Sequence, residues 1–274
     1  MSKQHRAPSM RAPRARRGRP IRIVPLFRPG WEGAAEPRAA TAAAPAAPAA
    51  MQLTYRGGPL MTAVEVASVF WGRAWNGPAE QDLAKRLNEF LRFVVASAYL
   101  DQLAEYDVPE QSIGRGRFAG TATIDDNLAS GTSVTDREVQ EMLARQVAGG
   151  AALPASTPNT LYAVFLPPGV TVVSGSDRSC QVFCGYHDRS TAGLFYAVLP
   201  NPDCAGCLGG LEVFQALTSV CSHELAEAIT DPIPGQGWYD DASGEIADIC
   251  AWQNKTLGGY TVQKLWSNRA QACV

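Results

Sequence analysis

Residues 211–230 set the tightest constraint on what this chain can fold into. Val213, Phe214, Leu217, Val220, Cys221, Leu225 and Ala228 recur at helical spacing, and Asp231-Pro232 ends the run because the residue before a proline avoids the helical region. A helix striped in this way has to be covered by the rest of the chain. Yet the margin of its stripe carries His223, Glu224 and Glu227, within the sequence SHELAEAITDP. His223 and Glu227 are four apart, which places their Cβ atoms about 5–6 Å from each other, the spacing of two ligands to one metal ion. Glu224 lies about 100° round the helix from His223. These polar groups are expected to look into a cleft between the helix and its neighbours.

Other ligands must come from elsewhere in the chain. It has three histidines, His5, His187 and His223, so a second imidazole is available only from His187 or from the N-terminal segment. Acids return densely in residues 237–250, GWYDDASGEIADIC, as Asp240, Asp241, Glu245 and Asp248. A site on this helix is therefore expected to be rich in carboxylates. Calcium is the oxygen-ligand alternative, on Asp240 and Asp241 before Ser243-Gly244, although the 12-residue spacing of an EF-hand is absent.

The charge distribution divides the chain in two. Residues 1–38 hold ten Lys/Arg and two Glu, and residues 39–50 are nearly all Ala and Pro. Subtracting that segment from the chain totals of 24 basic and 26 acidic residues leaves 14 and 24 in the remainder, so a net charge of −2 conceals a basic arm and an acidic body. Such an arm cannot bury enough apolar surface to offset its ordering entropy. Residues 1–50 are thus expected to be a disordered arm and linker, and residues 51–274 a single domain. In residues 10–22 (MRAPRARRGRPIR) no aromatic residues interleave with the arginines as stacking platforms, so no specific nucleic-acid site is expected. The apolar run at residues 21–27 contains Arg22 and Pro25, too short and broken for a secretory h-region. No run approaches the roughly 20 apolar residues of a membrane span.

Along the body, residues 53–60 (LTYRGGPL) and 64–71 (VEVASVFW) read as a hairpin turning at Gly57-Gly58-Pro59. Asn76-Gly77-Pro78 opens a helix whose face is Leu83, Leu87, Phe90, Leu91, Val94 and Ala98. Residues 113–121 are Gly-rich but lack the Gly-Lys-Ser/Thr ending of a phosphate loop, so they are expected to be a plain loop. Thr135 and Glu138 have the form of a capping box, opening a second helix that stops at Gly149-Gly150. Strands are expected at 161–166, continuing through 170–173, at 195–199 and at 260–266. Strands and helices without regular alternation indicate an α+β fold. Trp71, Trp75, Trp238 and Trp252 are expected in the core and at its rim, with a glycan platform as the alternative.

The order of these elements resembles the phosphate-induced/EXORDIUM-like family of extracellular proteins, in a bacterial-type version. The likeness runs from LTYRGGPL through CQVFCGYH at residues 180–187, CAGC at 204–207, the helix ending in TDP at 230–232, and GEIADIC at 244–250 to the C-terminal cysteine. It implies a secreted α+β domain, of a kind linked in plants to growth and cell-wall responses. HELAE is also similar to the H-E-x-x-H helix of zincin metallopeptidases, with Glu227 in place of the second histidine. That likeness implies a zincin-like mixed sheet with the HExxE helix at its centre, and a metallopeptidase with Glu224 as general base. It also implies an acid from GEIADIC as third ligand, so zinc is expected on His223, Glu227 and Asp248. Glu245 is the next candidate, His187 is the nitrogen alternative, and Asp231 is expected to be turned aside by Pro232. Partners would be a peptide or protein substrate, or a cell-wall glycan for a non-catalytic protein, with the chain a monomer.

Seven cysteines, all beyond residue 50, point to an oxidising compartment, extracellular or periplasmic. Cys250 and Cys273 would tie the acid-rich segment to the C-terminus. Cys180, Cys184, Cys204 and Cys207 would form two further bridges, leaving Cys221 free and buried on the helix stripe. The competing arrangement is a structural zinc on those four thiolates.

Overall fold

The computed structural model describes residues 23–27, 51–150 and 153–274. The architecture is α+β, a mixed six-stranded sheet with helices on both faces. The sheet strands are β1 (Ile23–Pro25), β2 (Glu65–Trp71), β3 (Arg117–Ile124), β4 (Thr160–Phe165), β5 (Phe183–Arg189) and β6 (Phe195–Leu199), and the spatial order is β1-β5-β6-β4-β2-β3. Strands β6, β4, β2 and β3 run parallel, whereas β5 is antiparallel to β6 and β1 antiparallel to β5. Among the described residues no helix is long and apolar enough to cross a membrane.

Alternation along the strands feeds two cores. Val66 and Phe70 of β2 pack on one face with Leu161 and Phe165 of β4, while Ala67, Val69 and Trp71 pack on the other with Tyr162 and Val164. Strands buried on both faces read as continuous apolar runs, which is why the pattern from Val66 to Trp71 is buried throughout. The first face is covered by α1 (Pro78–Val95) and α3 (Val213–Thr230) and the second by α2 (Asp136–Gly149). Helix α1 starts at Pro78 as expected and buries Leu87, Phe90, Leu91 and Val94, but Ala98 belongs to the following short helix. The capping box of α2 is formed: Thr135 Oγ1 accepts from Glu138 N at 3.3 Å, and Glu138 Oε2 accepts from Thr135 N at 2.6 Å. Tyr186 and Tyr196 hydroxyls donate to Asp136, docking this helix on β5 and β6.

Several expectations are corrected by long-range pairing. The hairpin at residues 53–71 does not form: Thr54–Tyr55 pairs with Trp238–Tyr239, and β2 enters the middle of the sheet between two parallel strands. Gly58 instead serves close approach, since a Cβ there would meet the carbonyl of Gln236, which accepts the Gly58 N–H. The Gly-rich loop stops at residue 116, beyond which the chain is β3. Residues 170–173 do not prolong β4; Thr171–Ser174 joins a separate small sheet with Ser133–Thr135. The terminal strand is divided: β8 (Tyr260–Gln263) pairs with β7 (Asn254–Leu257), and Trp266–Ser267 pairs with Ala272–Cys273.

The boundary expected at residue 50 is also crossed. Ile23–Pro25, inside the segment assigned to the disordered arm, pairs with β5, and Val24 is buried. Pro25 O accepts from Trp252 Nε1 at 2.7 Å, and Phe27 packs edge-on against the Trp252 ring. The apolar residues that break the basic run are what the sheet edge and Trp252 use. The rest of the expected arm lies outside the described residues. Trp71, Trp75 and Trp252 are buried and Trp238 half-buried, in the core and at its rim.

Three disulfides are present, Cys180–Cys204, Cys184–Cys207 and Cys250–Cys273, and Cys221 is free and buried. Sulfurs of Cys180, Cys204 and Cys207 also lie close enough together for a metal, but each is bonded to a partner and carries no thiolate charge, which removes the four-thiolate alternative.

Candidate metal centre

Helix α3 is buried on every side from Ala216 to Thr230, against β5 and β6 on one flank and β8 on the other. His223, Glu224 and Glu227 are therefore wholly enclosed, and the expected open cleft is absent at these positions because β8 and residues 245–250 close over the helix. Asp248, at 6% exposed, is the member of the group that reaches solvent.

Two constellations form around Glu227. In the first, His223 Nε2 lies 3.0 Å from Glu227 Oε1 and 3.7 Å from Asp248 Oδ1. Asp248 sits in a single 3-10 turn, Asp248–Cys250, whose end is held by the disulfide to Cys273. Its backbone N–H donates to Glu227 Oε1 at 3.0 Å and its Oδ2 accepts from Glu245 N at 3.0 Å, so that Oδ1 faces the histidine. In the second, His187 on β5 places Nδ1 3.1 Å from Glu224 Oε2 and 3.7 Å from Glu227 Oε2.

The hydrogen-bond network assigns both imidazole tautomers. Gln263 on β8 donates from Nε2 to Ala247 O at 2.8 Å and accepts at Oε1 from Trp252 N at 3.1 Å, so its amide orientation follows from two backbone groups. The same Oε1 lies 3.1 Å from His223 Nδ1, which must then be the donor, so that loss of the other proton leaves the Nε2 lone pair on the carboxylate side. His187 Nε2 lies 3.2 Å from the carbonyl oxygen of Asp231, an acceptor only, so that nitrogen carries a proton, and without a metal the 3.1 Å contact from Nδ1 to Glu224 Oε2 holds a further proton between them. Ser222 Oγ accepts from Gln263 N at 2.9 Å and fixes the register of β8 on the helix.

Enclosure of this many acids is costly. His223 Nε2, Glu224 Oε1, Glu227 Oε2, Asp248 Oδ1 and both Glu245 oxygens are buried without a hydrogen-bond partner, so even the 3.0 Å His223–Glu227 pair is out of hydrogen-bond alignment. Burial, reinforced by Glu227, holds the Glu245 and Asp248 carboxyls well above the usual range, and burial also raises Glu224. Burial opposes charge on His223, but Glu227 overrides it and the imidazole is pushed up to about 10. His187 is likewise raised against burial by its bond to Glu224.

The donor set could hold a metal ion. Ligands 2.0–2.2 Å from a tetrahedral ion lie about 3.4 Å from one another, between the 3.0 and 3.7 Å separations of the first constellation.

Of the other expected residues, Glu245 is buried with Oε1 3.5 Å from His187 Nε2. The Asp231 carboxyl lies against that of Glu245 and accepts the N–H groups of Gly235, Gln236 and Gly237, and its carbonyl supports His187. The calcium alternative does not assemble. Asp240 Oδ1 accepts from Ala242 N and Ser243 N within its own turn, while Asp241 is exposed and pairs with Arg56. Gln263 and Gly185 were not legible as site residues. A Cβ at Gly185 would lie 2.7 Å from Val220 Cγ1 and 3.0 Å from Glu224 Oε1, so glycine permits the approach of β5 to the helix.

Comparison of the chain with protein-family models, with curated proteins and with solved structures gives no match in any of the three.

Proposed function

We propose that this protein is a metal-dependent hydrolase, with zinc as its ion and a peptide or protein as its substrate. The observation that carries the proposal is the convergence of His223 Nε2, Glu227 Oε1 and Asp248 Oδ1, with the Nε2 lone pair set free by Gln263. His223, Glu227 and Asp248 would hold the ion, which when bound supplies Lewis-acid polarisation and acidified water. Glu224 keeps Oε1 without a partner and can take up a proton there, while its Oε2 is positioned by His187 Nδ1. Two carboxylate ligands offset the charge of a divalent ion, so activity should favour higher pH than a site of neutral histidines. Substrate would approach past Asp248. The three disulfides support a secreted protein, as the resemblance to the EXORDIUM-like family implies.

Complete burial of His223, Glu224 and Glu227 favours a second reading, in which the ion is structural and the protein binds a glycan or protein without catalysis. Structural sites are closed, whereas catalytic ones keep a position open. Metal analysis and peptide-cleavage assays on wild type and Glu224→Gln distinguish the two. Zinc retained on His223, Glu227 and Asp248 in both proteins, with cleavage by wild type alone, supports the hydrolase; zinc in both without cleavage assigns the structural role. A folded wild type that takes up no zinc sinks both.

A further inference from the structure

We infer that the centre holds two divalent cations, with Glu227 as the carboxylate shared between them. The inference rests on the reading that His223, Glu227 and Asp248 hold one ion, and adds a second at His187, Glu224 and Glu227.

The two constellations repeat the same geometry. One imidazole nitrogen, His223 Nε2, lies 3.0 and 3.7 Å from two carboxylate oxygens; the other, His187 Nδ1, lies 3.1 and 3.7 Å from two more. Glu227 contributes a different oxygen to each, Oε1 to the His223 side and Oε2 to the His187 side. In each group the ligand atoms lie within 4.8 Å of one another. A glutamate used through both oxygens is how two-metal sites hold ions about 3.5–4 Å apart. Each imidazole is also held from behind, at His223 by the Gln263 amide and at His187 by the Asp231 carbonyl, in the manner of metal-bound histidines.

Unpartnered atoms and charge supply independent support. On the His187 side Glu227 Oε2 is buried without a hydrogen-bond partner, as His223 Nε2 and Asp248 Oδ1 are on the other, while His187 Nδ1 and Glu224 Oε2 face each other at 3.1 Å. Glu224, Glu227, Glu245 and Asp248 place four carboxylates in one enclosed volume. Among the described residues, the cationic partners of these four are the two imidazoles, with no Lys or Arg in ion-pair contact. Ionising these carboxylates in the interior calls for cations beyond the two imidazoles, and a second divalent ion supplies more of that charge than one ion alone. Asp231 adds a fifth buried carboxyl against Glu245, held also by three backbone N–H groups.

The test is a zinc titration of the oxidised, chelator-stripped full chain, with bound zinc counted by elemental analysis after gel filtration. Two zinc ions per chain are expected in wild type, and one in His187→Gln. Loading with manganese gives a second readout that does not depend on a variant folding: two adjacent Mn(II) ions produce an exchange-coupled resonance spectrum, a single ion an isolated six-line signal. One zinc per chain in wild type with an isolated manganese signal overturns the shared-carboxylate centre and leaves the single-ion reading standing. Two zinc ions that persist in a folded His187→Gln overturn it as well, by placing the second ion elsewhere. No zinc at all in folded wild type overturns both readings.

Discussion

The side-chain oxygen of Gln263 lies 3.1 Å from Nδ1 of His223, and two backbone contacts leave that amide one orientation. A residue on a strand near the C-terminus thereby decides which nitrogen of the helix histidine is available to a metal. Gln263→Leu removes the acceptor and leaves the Nδ1 proton buried and unpaired, at a cost of about 1–3 kcal/mol. Zinc affinity should fall about 10–100-fold, as for other supporting partners of metal-bound histidines. Competition against a chromophoric chelator measures it, and unchanged affinity would detach Gln263 from the site.

Stability of the metal-free protein should fall as pH rises. Burial, then Glu227, raises the folded-state Glu245 and Asp248 carboxyls, and Glu227 overcomes burial to push His223 up to about 10. Unfolded, the same groups titrate near 4 and 6.5. The folded state therefore binds more protons, and the contribution is complete below the unfolded values and lost as pH climbs through the folded ones, across about 6.5 to 10 for His223. Zinc replaces those protons, so the stabilisation produced by zinc should grow over the same range. Urea unfolding at pH 5 and pH 8, with and without zinc, decides this; a metal-free chain more stable at pH 8 contradicts it.

Cys250–Cys273 closes a loop with a sequence separation of 23 and anchors the turn that carries Asp248. Replacing both cysteines by serine should lower stability by about 3 kcal/mol through the freer unfolded chain. It should also weaken zinc binding, because Asp248 loses its anchor. Loss of stability with unaltered zinc affinity would mean that Asp248 is held by its contacts to Glu227 and Glu245 without the disulfide.

Gly185→Ala introduces a Cβ 2.7 Å from Val220 Cγ1 and 3.0 Å from Glu224 Oε1. Overpacking of this kind costs about 1–3 kcal/mol and should displace Glu224 from His187. A matched control lies across the sheet: Thr135→Ala removes the cap of α2 for about 1 kcal/mol and should leave zinc binding as it was. Equal losses of zinc affinity in the two variants would show a general effect of destabilisation.

The parts of this protein that sequence alone determined are those governed by neighbours along the chain. Proline 78, the Thr135–Glu138 box and the Asp231-Pro232 stop mark helix ends through bonds a few residues long, and the apolar stripe of α3 with the four-residue step from His223 to Glu227 follows from helix geometry. The acids of residues 245–248 were identifiable as partners because the chain has so few histidines. Tertiary structure decided everything that depends on elements distant in sequence. It sent β2 into parallel pairs with β3 and β4 instead of a hairpin, drew Ile23–Pro25 onto the sheet edge, and closed the helix on all sides. It also brought His187 to Glu224 and Gln263 to His223 across separations of 37 and 40 residues. Strand order and side-chain tautomers have no local signature, because the groups that set them meet only after the sheet and the helix have packed.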